Sequence, residues 1–336
     1  MKLLAPGSPK ELVDRSLWFK TANARKLSEK YGVEFGFELK GPTEAIRESP
    51  GLYWGLHLPD MLATDWYYHQ KRREKMFKEL KRVAKIGPNY AVLHGTHLLW
   101  QPPTKEYIQR YVDRSSTDEY FKILKANIEL IGELKRLFNL KIENFPLYFY
   151  YKKTQGGYLP YTFLMTGIGR LDDLAYLKEK TGVDIMFDID HMQTVLNFLL
   201  RKRNYRHLPL EKIEKLSADE KKLKDIFGFY LKKNYIPYLD HEVTLAHMIN
   251  KLAPKFFHVT GALQDIISGK KIVTHAPIRL KDKTFRKNIR LVLAQKPEAI
   301  LVETANSKVG NAWNYLRPNE TELSFYNLCQ ILFEEL

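Results

Sequence analysis

The stretch Tyr90-Ala91-Val92-Leu93-His94 decides the fold. It is a short apolar run that ends on an imidazole. A run of this length, bounded by polar sequence, fits a strand buried on both faces. Before it lies a charged stretch with helical spacing, residues 70–86, and after it another, residues 119–138. Helix, strand and helix in succession form one βα unit, and the same unit recurs in both directions along the chain.

Working outward, comparable runs occupy residues 2–5, 33–39, 53–58, 141–143, 183–188, 256–259 and 300–302, eight runs with the first. Further helical stretches occupy residues 10–31, 171–181, 282–294 and 320–336. Repeated βα units imply a parallel sheet with right-handed crossovers. Eight of them imply an α/β fold of the (β/α)8 TIM-barrel type, with long loops after the fifth and sixth strands, residues 146–170 and 192–254. No G-x-G-x-x-G or G-x-x-x-x-G-K-[ST] follows a strand, which argues against an open nucleotide-binding sheet. No Ser/Gly-rich linker divides residues 1–336, so a single domain is expected.

The strand ends carry the chemistry. The third run reaches His57 and the fourth His94. The fifth ends Glu143-Asn144 and the sixth Asp188-Ile189-Asp190-His191. The seventh holds His258, with His275 beyond it, and the eighth leads to Glu303. A buried parallel strand has few polar residues, yet six of the eight stop on His, Asp or Glu. Parallel strands bring such ends to one rim. Imidazole and carboxylate are ligands for Zn²⁺ or Mn²⁺. Few Lys or Arg lie at these ends, so a divalent cation is the expected counter-charge. Asp188 and Asp190 compete for one place, because alternation sends both to the same side. His97 falls just behind His94, whereas His69, His207, His241 and His247 read as surface or helix residues. The absence of H-E-x-x-H, of a cysteine zinc motif and of G-x-S-x-G argues against those chemistries.

Composition sets the surroundings. The net charge is +15, concentrated in residues 71–85, 201–233 and 270–290. Such a surface favours polyanions, either nucleic acid or sugar phosphates. Each run by itself reads first as a solvated helix face. The run from Lys270 follows a ligand-bearing strand, so Lys270, Lys271 and Arg279 are the expected phosphate contacts. Tyr148, Phe149, Tyr150, Tyr151, Tyr158 and Tyr161 crowd the loop after the fifth strand, where local packing is the first reading and stacking on a base or sugar the second. The one cysteine, Cys329, cannot form an internal disulfide, so a reducing cytoplasm is expected. Neither a signal peptide nor a membrane helix is expected.

These strand ends resemble the xylose-isomerase-like barrel superfamily, which joins type IV apurinic endonucleases with sugar isomerases and epimerases. The resemblance runs from Lys2 to about Glu303. It rests on Val92-Leu93-His94-Gly95-Thr96-His97, Ile142-Glu143-Asn144, Asp188-x-x-His191, His258-Val259 and Val302-Glu303-Thr304. Across its two patterns the resemblance implies one to three metal ions, with three positions in the endonuclease pattern. His57, His94 and Glu143 would hold the first, and Glu143, Asp188, His258 and Glu303 the second. His191 and His275 would hold a third, although Val273 stands where that pattern has an Asp. It implies metal-dependent hydrolysis of phosphodiesters in abasic DNA. The isomerase pattern implies one metal on Glu143, Asp188, His258 and Glu303, with Glu143 and Glu303 as catalytic acid and base on a sugar or sugar phosphate. Here His275-Ala276-Pro277 is present, but Ile278-Arg279-Leu280 replaces that pattern's glycines. A nucleic-acid-binding barrel with a vestigial site is the non-catalytic alternative.

Overall fold

The computed structural model describes residues 1–7, 18–40, 42–59, 62–68, 70–94, 97–99, 119–144, 149–154, 157–164, 171–191, 245–261, 276–304 and 320–336. Eight of its strands are the eight expected runs: β1 (Lys2–Gly7), β2 (Glu34–Lys40), β3 (Tyr53–His57), β4 (Tyr90–His94), β6 (Leu140–Glu143), β9 (Asp184–Asp188), β10 (Phe256–Val259) and β11 (Ala299–Val302). They close in the order β1-β11-β10-β9-β6-β4-β3-β2, and every pairing is parallel. Closure removes both edges of this sheet, so none of its eight strands can template aggregation.

Period-two alternation gives each strand two buried faces with different tasks. Leu3, Phe37, Trp54, Leu56, Leu93, Ile142, Ile185, Phe187, Phe257 and Ile300 point outward and belong to the large core shared with the helices. Leu4, Tyr90, Val92, Met186, Phe256, Ala299 and Leu301 form a second, smaller cluster inside the barrel. Near its base lies Lys141, only 2% exposed. Its ammonium pairs with Asp184 and lies 4.3 Å from the centre of the Phe256 ring, so a buried cation keeps a counter-charge and an aromatic face.

The helices are α1 (Ala22–Tyr31), α2 (Leu62–Tyr68), α3 (Gln70–Ala84), α4 (Glu119–Lys135), α5 (Leu171–Thr181), α6 (Leu245–Leu252), α7 (Lys283–Ala294) and α8 (Glu320–Glu335). Of the helix expected over 10–31, residues 10–17 lie outside the described residues, and the described helix begins at Ala22. Thr21 takes an extended backbone, accepts from the Ala24 amide and caps it, after a 3-10 turn at Trp18–Lys20. Gly32 ends α1 at φ 62°, where its amide reaches the Leu27 and Ser28 carbonyls. The aromatic loop expected after the fifth strand is partly a hairpin. β7 (Phe149–Thr154) pairs antiparallel with β8 (Gly157–Leu164), and β8 pairs with β5 (His97–Leu99) in a separate three-stranded sheet. Most of the loop 192–254 lies outside the described residues, and its described end is α6. Among the described residues no helix is long and apolar enough to cross a membrane.

Candidate metal centre

The site lies at the C-terminal ends of the barrel strands, as the parallel closure requires. Register sets the neighbours. His94 is the cross-strand partner of Glu143, and Asp188 that of His258. Glu303 follows the last residue of β11, and its amide donates to the Val259 carbonyl at 2.9 Å. Alternation then turns His57, His94, Glu143, Asp188 and His258 to the barrel interior, on the same face as the inner apolar cluster.

Glu143 stands at the centre and is fully buried. Its Oε2 lies 2.6 Å from His94 Nε2 and 3.3 Å from His57 Nε2. Its Oε1 lies 2.7 Å from His258 Nδ1, which is also 2.7 Å from Glu303 Oε2. His57 Nδ1 is 3.0 Å from the Leu58 carbonyl. A carbonyl only accepts, so Nδ1 carries a proton there and Nε2 is the nitrogen turned toward Glu143. His191 is held likewise: Nδ1 donates to the Asn144 carbonyl at 2.7 Å, which leaves Nε2 facing Asp188 Oδ2 at 3.3 Å. Asn144 also ties down the end of β9, since its side chain accepts from the Asp188 amide and donates to the Asp188 carbonyl. The Asp188 carboxylate accepts from the His191 amide at 2.9 Å.

Charge at this rim is mutually adjusted. Burial works to raise Glu143, but His258 and His94 outweigh it and hold its carboxyl well below the usual carboxylate range. Burial, and then the charge of Glu143, pushes Asp188 up to about 7. Burial pulls His191 down to about 4. Burial also works against a charged His258, yet Glu143 and Glu38 prevail and raise it to about 10. Among the described groups, the raised His258 and the raised Asp188 carboxyl offset part of this negative charge. A divalent cation would offset it as well.

The donor chemistry fits a metal ion. Among the described residues two groups could hold one: His57, His94 and Glu143, and Glu143, Asp188, His258 and Glu303. Within each group the ligand atoms lie within 4.8 Å of one another, and every residue is buried. Asp188 Oδ2 accepts no hydrogen bond among the described residues and faces a ring nitrogen that holds a lone pair. Two acceptors face to face call for a cation or a proton between them.

The barrel brings together His57, His94, Glu143, Asp188, His191, His258 and Glu303. Asp188 joins the second group, whereas Asp190, also buried, stands in the helical residues 189–191 beyond β9 and belongs to neither. Arg279 is exposed before α7, and His247 is exposed on α6. His275, Lys270 and Lys271 lie outside the described residues, as do the side chain of His97 and the residues His69, His207 and His241.

Sequence reasoning missed two groups on β2. Glu38 is fully buried and lies beside His258 and Tyr90. Lys40 pairs with Glu303, which corrects the expectation that cations are scarce at these ends: one lysine does reach a candidate ligand. The signal was present in Glu34-Phe35-Gly36-Phe37-Glu38-Leu39-Lys40. Its apolar residues alternate toward the helices, so Glu38 and Lys40 must face inward. Attention to strand ends alone passed over them.

No family model matches the chain, and no curated protein matches it. Solved structures do. An endonuclease IV from Thermus thermophilus is similar at 13% identity and a TM-score of 0.46, with 100% of each chain covered. A D-tagatose 3-epimerase-like protein is similar at 12% identity and 0.42, over 99% of this chain and 88% of that one. SacUVDE is similar at 12% identity and 0.45, over 99% and 98%. At these identities the likeness extends to architecture alone. The chain's own closed, parallel strand order makes it a (β/α)8 barrel.

Proposed function

We propose that the chain is a divalent-metal-dependent hydrolase of phosphodiesters, acting in a reducing cytoplasm on abasic sites in duplex DNA as an endonuclease IV does. One observation carries this reading: Glu143 is common to two donor groups, one of which consists otherwise of His57 and His94. An isomerase needs only the second group, whereas His57 and His94 would complete a further metal position for the hydrolase. Zn²⁺ or Mn²⁺ ions bound there would supply an activated water and stabilise the attacking and leaving oxygens of an in-line displacement. Glu143 would join the two positions, Glu303 would close the second, and His191 with His275 would offer a third. Arg279, Lys270 and Lys271 would bind flanking phosphates, consistent with a net charge of +15.

The test is incubation of protein loaded with Zn²⁺, Mn²⁺ or Mg²⁺ with a duplex carrying one abasic site, alongside elemental analysis. Nicking at the lesion and two or more ions per chain are expected. No cleavage above an EDTA control with any of the three metals rejects the reading.

One feature favours a second reading, isomerisation or epimerisation of a sugar or sugar phosphate. Glu143 and Glu303 both stand 2.7 Å from His258 Nδ1, so the second group already contains two carboxylates able to move a proton between adjacent carbons. Incorporation of solvent deuterium into ketoses or their phosphates, with one ion per chain, would select it over the hydrolase.

A further inference from the structure

Three residues outside the donor groups form a row across neighbouring strands. Glu38 of β2 is the register partner of Gly55 of β3, and Gly55 is that of Tyr90 of β4. All three point into the barrel, Gly55 two residues before His57 and Tyr90 four residues before His94. A Cβ on Gly55 would stand 2.1 Å from Cζ of Tyr90 and 2.4 Å from its hydroxyl oxygen. The missing side chain is therefore what lets the Tyr90 ring cross β3 to reach β2. There the hydroxyl donates to Glu38 Oε2 at 2.8 Å. The same oxygen lies 3.2 Å from His258 Nε2. Glu38, Tyr90 and His258 are each fully buried.

The two nitrogens of His258 thus face different carboxylates. Nε2 faces Glu38, and Nδ1 faces Glu143 and Glu303. The imidazole ring separates Glu38 from the donor groups, and Glu38 belongs to neither of them. An ionised carboxylate only accepts, so it requires a proton on Nε2. That leaves Nδ1 as the nitrogen able to bind a metal. A carboxylate on the far nitrogen of a ligating imidazole fixes its tautomer and ring plane and raises its basicity.

We propose that Glu38, held by Tyr90 across Gly55, is the positioning residue that presents His258 Nδ1 to the second metal position. The proposal rests on reading the strand ends as a metal centre, and not on which reaction that centre serves. Glu38 does not touch the reacting atoms. It acts through His258, and Tyr90 acts through Glu38. Without the carboxylate, His258 can take the other tautomer or turn its plane, and the Glu143, Asp188 and Glu303 oxygens lose their nitrogen partner.

The test compares wild type, Glu38→Gln and Tyr90→Phe by Zn²⁺ and Mn²⁺ titration, elemental analysis, and nitrogen-15 NMR of the histidine rings in the zinc-loaded protein. Glu38→Gln is expected to weaken one metal position about 10- to 100-fold while the position on His57 and His94 keeps its ion. The His258 signals should then depart from the wild-type pattern of a protonated Nε2 and a metal-bound Nδ1. A merely structural residue would not move that tautomer. Tyr90→Phe, which keeps the carboxylate, should weaken the same position about three- to tenfold. Wild-type affinity and an unchanged His258 tautomer in Glu38→Gln overturn the proposal. Should that variant fail to fold, Tyr90→Phe decides, and affinity within twofold of wild type overturns it. Failure of the wild type to bind either metal instead overturns the metal-centre reading, and this proposal with it.

Discussion

Cys329 shows how burial alone can determine a side chain's chemistry. It sits on α8, fully buried in the outer core, and burial pushes its thiol up to about 12. Thiolate is the reactive form, so the native residue should be inert. A chromogenic disulfide reagent at pH 8 is expected to find no thiol in the folded chain and one equivalent in denaturant. Immediate reaction of the native protein would contradict the packing of α8. The rim histidines illustrate the converse case, in which hydrogen bonding determines the chemistry. His57 and His191 are each assigned a tautomer by a main-chain carbonyl, of Leu58 and of Asn144. Those contacts cannot be read from a sequence. That the residues are histidines at strand ends can be.

The elements divide between those that announce themselves and those that do not. The eight barrel strands were legible because a run buried on both faces must be short, apolar and bounded by polar sequence. Helix starts were less so, since they depend on a single capping residue. In α7, Asp282 has an extended backbone, and its carboxylate accepts from the Phe285 amide at 2.9 Å. The helix it starts buries Phe285, Ile289 and Val292. Asp282→Ala should cost about 1–2 kcal/mol in urea denaturation with an unchanged m-value, while Asp282→Asn should lose much less. Equal losses in the two variants would show that the cap is not the source. The hairpin β7–β8 escaped notice for another reason. Its aromatic residues surround a Gly-Gly pair in a stretch that follows a barrel strand, so it reads as loop until the pairing is seen.

At the scale of the whole molecule, the candidate centre joins six strands: β3, β4, β6, β9, β10 and the residue after β11. These positions converge only when the barrel is closed, and closure brings β1 against both β2 and β11. Trp18 and Phe19 pack on Phe325 of α8 at that seam, and Tyr31 packs on Phe333. An ion held there binds the folded chain and not the unfolded one. Metal at a hundred times its dissociation constant should therefore stabilise the protein by about 2.7 kcal/mol, and EDTA should reverse it. Thermal unfolding with and without Zn²⁺ or Mn²⁺ checks this, and a midpoint indifferent to both metal and chelator would count against the centre.

The sequence by itself determined the barrel, the direction of its strands and the identity of the residues at their ends. Burial on both faces and the period of two are local rules, and each strand obeys them within its own few residues. Tertiary structure alone decided which end meets which. It set Glu143 between His57, His94 and His258, chose Asp188 over Asp190, paired Lys40 with Glu303, and laid Tyr90 across Gly55 to reach Glu38. These choices depend on register between strands far apart in the chain, which is set only when the last strand closes on the first.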